Sequence, residues 1–280
     1  MYSEPEPNTA ARMRKMLTAA AMTLEVQPSN TREVWGWRGR TLSRSVATAT
    51  GGRGWLRLVS APADKAAGKL WDGPIEAERA MPLAVPRPRL HQQHAWTEDG
   101  HGYLAELYEE VTAVVVSGDD PVLRTEPALN EAWWTDLVTA LDGIQQVSTS
   151  RVAVRQEYLD RAMPQFLGAP VRTMVPVWTT AHGDLHWTNL TGPTLTILDW
   201  EGWGIAPAGY DAALLHSYSL LVPATANEIR ERLGHILDTP EGRFAELAVI
   251  TELLQTTTRG DNLDLEGPLR KRLAELLPQP

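Results

Sequence analysis

The residues best suited to chemistry lie close together, in Thr179-Thr-Ala-His-Gly-Asp-Leu-His-Trp-Thr-Asn189 and in Leu195-Thr-Ile-Leu-Asp-Trp-Glu201. The first segment has the form His-x-Asp-x4-Asn, and an apolar strand ending in Asp199 arrives ten residues after Asn189. Phosphoryl transfer asks for such a set. Little covalent work falls to the protein, so the site needs one carboxylate to orient or deprotonate an acceptor hydroxyl, and hard oxygen ligands that hold Mg²⁺ against phosphates. Asp184 suits the first task. Asn189 and Asp199 suit the second, being few enough to leave coordination positions for phosphate and water. A lone Asp-x4-Asn carries no weight, and an isolated His182 or His186 is more often a buried imidazole or a loop residue. The His-Gly-Asp turn, the spaced Asn and the hairpin ending in Asp-Trp-Glu carry weight together.

These side chains need a scaffold, and the chain offers two kinds. Thr31–Gly36 and Leu42–Thr50 are β-branched and aromatic, and Gly51-Gly-Arg-Gly54 is a hairpin signal leading into Trp55–Ser60. A short helical segment runs through Glu76–Ala80, and the prolines of Val85-Pro-Arg-Pro-Arg-Leu90 make that stretch an edge strand or an extended connector. Gly102–Glu110 reads as a further strand running into a linker. Beyond it, Leu129–Val147, Arg155–Phe166, Tyr210–Leu220, Ala226–Leu237, Gly242–Thr257 and Leu263–Leu277 have apolar spacings near the helical period. The spacing predicts an α+β chain: a small antiparallel β lobe with a leading helix over residues 1–106, joined to a larger, mainly helical lobe over residues 107–280.

With 280 residues, 43% of them hydrophobic, the chain can build a sizeable core. Gly and Pro follow no period and no window holds eighteen apolar residues, which excludes collagen-like and membrane-spanning readings. The absence of Cys excludes disulfides, thiolate metal sites and cysteine nucleophiles. Arg12, Arg14 and Lys15 before the apolar run Met16–Leu24 outline a signal peptide, but the run is short, holds two threonines and ends at Glu25 without a small-x-small site. An amphipathic surface helix and a cytoplasmic location are expected instead. A net charge of −9 argues against nucleic acid as a partner, and no membrane partner is expected. Residues 1–90 carry 14 Lys/Arg against 8 Asp/Glu, residues 91–180 carry 5 against 13, and residues 181–280 carry 7 against 14. Such a split fits ordinary solvation, or an anionic ligand on the first part and a cationic one on the rest.

The sequence resembles the aminoglycoside phosphotransferase and choline kinase-like family, small-molecule kinases that share the protein-kinase fold. His182-Gly-Asp-Leu-His-Trp-Thr-Asn189 matches that family's catalytic loop, Ile197-Leu-Asp-Trp-Glu201 its metal-binding segment, and Gly204-Ile-Ala-Pro-Ala-Gly-Tyr-Asp211 the stretch leading to a helix-borne Asp. The resemblance covers Thr31 to about Leu277 and is tightest over residues 179–213. It implies a two-lobed protein-kinase-like fold with Asp184 as catalytic base, Asn189 and Asp199 as Mg²⁺ ligands, and His182 and Asp211 as supports, Asp211 accepting from the catalytic loop.

In the first lobe the resemblance selects Arg57 as the cation for the α and β phosphates, where the family has Lys. A guanidinium can grip a phosphate and a carboxylate at once. Glu76 is the expected partner and Glu78 the second choice; the alternative is a solvent-facing strand arginine. Gly36–Ser43 is chosen as the phosphate-covering loop, with Gly39 allowing close approach, Thr41 or Ser43 donating to a phosphate oxygen, and Arg40 adding charge. By the resemblance alone, Glu106-Leu-Tyr108 offers backbone groups to the adenine edge. Trp187, Trp200 and Trp203 surround the proposed metal site, where close packing is expected ahead of ligand stacking.

The function expected is Mg²⁺-dependent transfer of the γ-phosphoryl of ATP, or GTP, to a hydroxyl of a small cationic molecule such as an aminoglycoside-type antibiotic or amino sugar. Glu252, Asp261 and Asp264 are candidates for contacting that acceptor. A biosynthetic natural-product or peptide kinase, or a nucleotide-binding pseudokinase acting as a partner protein, are the alternatives. The acceptor's identity and the oligomeric state are not legible.

Overall fold

The computed structural model describes residues 3–49, 51–168 and 171–277. Two compact units result: one holds residues up to Ala80 together with Arg87–Thr112, and the other holds Met81–Pro86 and the chain from Ala113 onward.

The first unit begins with α1 (Pro7–Thr23), in which proline occupies the first turn, where its missing N–H leaves no bond unmade. Strands β1 (Val26–Pro28), β2 (Val34–Trp35), β3 (Thr41–Thr48) and β4 (Arg53–Pro62) follow, then α2 (Lys69–Ala80), β5 (Leu90–Glu98) and β6 (His101–Glu109). The sheet is antiparallel in the order β1-β3-β4-β6-β5, with β2 also pairing β3. Side chains alternate across it. Leu42, Val46, Leu56, Leu58, Ala105 and Leu107 face one way and form a core with Met13, Met16, Leu17, Ala20 and Ala21 of α1. That burial accounts for the apolar face of the expected amphipathic helix, which begins nine residues earlier than Met16.

The strand expected over Thr31–Gly36 shrinks to β2, and the one expected over Leu42–Thr50 ends at Thr48, Thr50 itself lying outside the described residues. The hairpin closes as expected: Thr48 N–H donates to Gly52 O at 2.9 Å and Gly51 N–H to Thr48 O at 2.9 Å. β5 was not legible, because an edge strand that begins Leu-His-Gln-Gln-His needs no apolar alternation.

The second unit is mainly helical. It contains β7 (Val114–Val115), α3 (Glu131–Gln145), α4 (Gln156–Leu167), β8 (Trp178–Ala181), β9 (Thr191–Gly192), β10 (Gly204–Pro207), α5 (Tyr210–Tyr218), α6 (Pro223–Leu237), α7 (Pro240–Thr257) and α8 (Glu266–Leu276). β8 pairs β10 and β7 pairs β9, both antiparallel. The expected helix over Leu263–Leu277 opens with a separate 3-10 turn, Leu263–Leu265. Among the described residues no helix is long and apolar enough to cross a membrane.

Candidate functional site

β8 delivers the chain to His182, and its partner β10 leads into α5, whose first turn carries Asp211. The ladder therefore sets the two segments side by side. Asp211 Oδ2 accepts the His182 N–H at 2.7 Å and Oδ1 accepts the Gly183 N–H at 2.9 Å. Burial is the chief influence on the Asp211 carboxyl and pushes it up, against the opposing pull of the His182 charge and the two N–H donors. Gly183 has φ +83°, and a Cβ there would stand 3.0 Å from the Ala153 methyl and 3.3 Å from the Gly202 carbonyl. Only glycine turns the chain this tightly here.

The loop that follows presents Asp184. Asn189 Nδ2 donates to the Asp184 carbonyl at 2.8 Å and approaches Oδ2 at 3.4 Å, while His186 Nε2 stands 3.4 Å from Oδ1. Thr188 Oγ1 engages the other ring nitrogen of His186 at 2.9 Å. The Asp184 side chain is 53% exposed, on a frame of buried Leu185, Trp187 and Leu190. Partial desolvation tends to raise its carboxyl, but the His186 hydrogen bond and charge, the His182 charge and the Asn189 amide outweigh it, and the net shift is downward. Asp184 is thus an ionised, accessible carboxylate at neutral pH.

Asn189 uses its amide nitrogen on Asp184, and its amide oxygen accepts no hydrogen bond among the described residues. The next residues form a hairpin in which Leu190 bridges Ile197 and Leu198 N–H donates to the Asn189 carbonyl at 2.8 Å. Asp199 follows at once, exposed and in the left-handed region at φ +60°. Among the described residues no three His, Cys, Asp or Glu side chains could hold a metal by themselves. The Asn189 oxygen and the Asp199 carboxylate, linked through the Asn189–Leu198 bond, fit a hard cation that takes its remaining ligands from phosphate and water. The tryptophans nearby pack: Trp187 Nε1 donates to Ser219 Oγ at 2.8 Å, and its ring stacks 6.2 Å from Trp133. Trp200 Nε1 donates to the Ile197 carbonyl at 2.8 Å.

Of the three acceptor candidates, Glu252 lies within range of the Asp184 charge. Burial raises its carboxyl, and the Tyr210 hydroxyl donates to it. Asp264 is bound to Arg124 at 2.6 Å, and Asp261 is exposed. Sequence reasoning missed Tyr218. Its phenol is pushed up by burial and by the charges of Asp184, Glu252, Asp120 and Asp261. The ring stands edge-on to His186 at 5.6 Å, and its hydroxyl makes no hydrogen bond among the described residues. The available signal was its spacing of seven from Asp211, two turns along one helix face.

In the first unit, Ser43, Arg57 and Glu106 stand opposite one another on β3, β4 and β6, on the sheet face away from α1. Arg57 Nη1 donates to Glu106 Oε2 at 2.8 Å. Glu76, the partner expected from the sequence, lies on α2, and Glu106 is a partner that sequence reasoning did not name. Glu78 is engaged by Arg89 Nε at 2.8 Å and stands 3.6 Å from Arg87. Glu106, Leu107 and Tyr108 are not in a linker, since each is paired with β4 on one side and β5 on the other, so their backbone groups belong to ladders. Gly39 does adopt φ +68°, but the Pro5 ring fills the space beside it, 2.6 Å from where a Cβ would be, so the close approach it permits is to Pro5. Thr41 Oγ1 tucks beneath Gly36, leaving Ser43, buried and opposite Arg57, as the hydroxyl beside the cation.

A small antiparallel sheet unit followed by a helical unit is an architecture that this chain shares with solved structures of kinase-like fold. No family model matches the chain, and no curated protein matches it. Among solved structures, a thermostable mutant of the aminoglycoside phosphotransferase APH(4)-Ia in complex with ADP and hygromycin B is similar over 94% of this chain and 97% of its own, at 12% identity and a TM-score of 0.60. An amicoumacin kinase in complex with AMP-PNP and Ca²⁺ is similar over 98% and 97%, at 13% identity and a TM-score of 0.57. The macrolide 2'-phosphotransferase MphH from Brachybacterium faecium is similar over 95% and 98%, at 13% identity and a TM-score of 0.56. At such identities the likeness shows the fold.

Proposed function

We propose that this chain is a cytoplasmic small-molecule kinase that transfers the γ-phosphoryl of ATP or GTP to a hydroxyl of a small cationic acceptor, of the kind found in aminoglycoside antibiotics or amino sugars. One observation supports this above the others: Asp211 pins the His182–Gly183 backbone and thereby presents Asp184 as an ionised, half-exposed carboxylate beside Asn189. Asp184 orients the acceptor hydroxyl and takes its proton as the new O–P bond forms and the bond from the γ-phosphorus to the bridging oxygen breaks, releasing the nucleoside diphosphate. Asn189 and Asp199 would hold Mg²⁺, which when bound supplies charge neutralisation on the phosphates. In the nucleotide-binding unit, Arg57 and Ser43 contact phosphate oxygens, and the adenine edge is met where the chain leaves β6, after Glu109. Hygromycin B, bound in one structural neighbour, and macrolides, for which another is named, are the first acceptors to try.

Asp184→Asn tests the reading. ATP affinity should stay within a few fold, since only the acceptor hydroxyl needs the carboxylate, while phosphotransfer falls roughly a hundred- to ten-thousand-fold. Unchanged transfer by this variant refutes the base.

A further inference from the structure

Arg57 and Glu106 form an ion pair within the sheet. Glu106 is 0% exposed and the Arg57 side chain 18% exposed, and the 2.8 Å contact joins residues placed directly opposite in the β4–β6 ladder. Burying a carboxylate this completely is costly, and an apolar pair in the same space would serve stability as well or better. A charged pair kept at such a cost points to a role in specifying geometry.

We propose that Glu106 is the positioning residue for the phosphate-binding cation, holding the Arg57 guanidinium toward the row that Ser43 begins. The inference rests on the kinase reading and deepens it. Three features carry it. The register of β3, β4 and β6 puts Ser43, Arg57 and Glu106 in one line, so the strand pairing itself sets where Glu106 holds the guanidinium. A guanidinium has five N–H donors in a rigid fork, so one edge can grip a carboxylate while another meets a phosphate oxygen. The Ser43 hydroxyl, on a side chain 6% exposed, makes no hydrogen bond among the described residues and stands on the strand beside Arg57, as a second donor to the same anion. The ligand recognised is the phosphate chain of a nucleoside di- or triphosphate.

The sign of the effect separates positioning from mere proximity. A carboxylate that simply lies near a phosphate repels it, so removing its charge would tighten ATP binding; a carboxylate that aims the arginine does the reverse. Calorimetric titration with ATP and with adenosine should be run on the parent, Glu106→Gln, Arg57→Met and the double variant. Glu106→Gln is expected to weaken ATP binding about tenfold, the loss of roughly one charge-assisted contact, with adenosine unchanged within about twofold. In the Arg57→Met background the same change should alter ATP affinity less than about twofold, because Glu106 then has nothing to aim. Glu106→Asp, which keeps the charge but shortens the reach, should show the same selective loss of ATP and covers the case in which Glu106→Gln does not fold. Equal losses of ATP and adenosine, tighter ATP binding, or an undiminished effect without Arg57 would each overturn the proposal while leaving the kinase reading intact. A parent that binds ATP no better than adenosine would overturn both.

Discussion

His182 Nε2 donates to the Leu198 carbonyl at 2.9 Å, joining the loop that carries Asp184 to the turn that carries Asp199. A carbonyl only accepts, so Nε2 carries a proton, and buried Nδ1 has no partner among the described residues. The Leu198 N–H is held as well, by the Asn189 carbonyl at 2.8 Å. Asp199 thus follows a residue fixed at both backbone groups. That explains how a non-glycine residue is kept at φ +60°, a conformation that persists where surrounding bonds over-determine it.

The first prediction concerns that turn. ATP should raise the melting temperature more with Mg²⁺ than with chelator, and Asp199→Ala should abolish the difference. His182→Leu, which touches no metal, should shrink it by loosening the turn, while His182→Gln, with a donor of its own, should retain more of it. A magnesium-independent ATP shift in the parent would refute the assignment of Asn189 and Asp199.

Asp211→Asn tests the anchor. The carboxylate accepts two backbone N–H groups, whereas an amide accepts one and sets its own NH₂ against the other. Bonds to a charged acceptor are each worth about 1.5–3 kcal/mol, but burial has already raised this carboxyl and removing a buried charge returns part of the loss. The net cost should be about 1–3 kcal/mol, a melting temperature lower by several degrees. Phosphotransfer should fall with it even at temperatures where the fold is intact. A variant with the parent's melting temperature and activity would show that Asp211 does not hold the loop.

The residues from His182 to Asp199 were legible because one loop and one hairpin hold them, and local spacing survives folding. The pairing of Arg57 with Glu106 was not, since it depends on the register between β4 and β6, which sit 49 residues apart at that pair. Periodicity says which face a residue occupies and nothing about what stands opposite it. Tyr218 escaped for another reason: every residue of α5 is buried, so no polar face marks the helix side that turns toward Asp184. The backbone conformation of Gly39 could be read from its turn, but not that Pro5, some thirty residues earlier, would cover it.

A further prediction concerns Glu246 and the acid stability of the helical unit. It is 1% exposed on α7 and is met by Arg230 of α6 at 3.0 Å, Arg272 of α8 at 2.8 Å and His216 of α5 at 3.4 Å. Burial alone would raise its carboxyl, yet the nearby His216 ring, the Arg272 hydrogen bonds and the two arginine charges bring it down from its usual 4.5 to about 2. A carboxyl lowered in the folded state adds stability above its unfolded value and loses it as pH falls through the folded one. Linkage puts that contribution at about 3 kcal/mol, lost between roughly pH 5 and pH 2. Glu246→Gln should be less stable at pH 7 and have a shallower acid limb, measured as urea midpoints across that range. An acid limb as steep as the parent's would assign the dependence to other carboxyls.

The last prediction concerns the acceptor. Tyr218 lies in the combined field of Asp184, Glu252, Asp120 and Asp261, but these carboxylates are not equivalent. Arg124 binds Asp120 and Asp264, each at 2.6 Å, and Glu252 is capped by Tyr210, whereas Asp261 has no ion pair among the described residues. The attraction for a cationic acceptor should therefore come chiefly from Asp184 and Asp261. Exposed ion pairs are individually weak and are screened by salt, so KM for an acceptor such as hygromycin B should rise as salt goes from about 50 to 500 mM, where the Debye length shrinks well below about 10 Å. Asp261→Asn should raise KM several-fold at the lower salt and little at the higher, while Asp264→Asn, losing a carboxylate already neutralised by Arg124, should change it less than about twofold. Tyr218→Phe should raise KM for the acceptor and leave KM for ATP unchanged. If the best acceptor is uncharged, or if KM ignores both salt and Asp261→Asn, the acidic surface is solvation alone and the acceptor is selected by shape and by the Tyr218 hydroxyl.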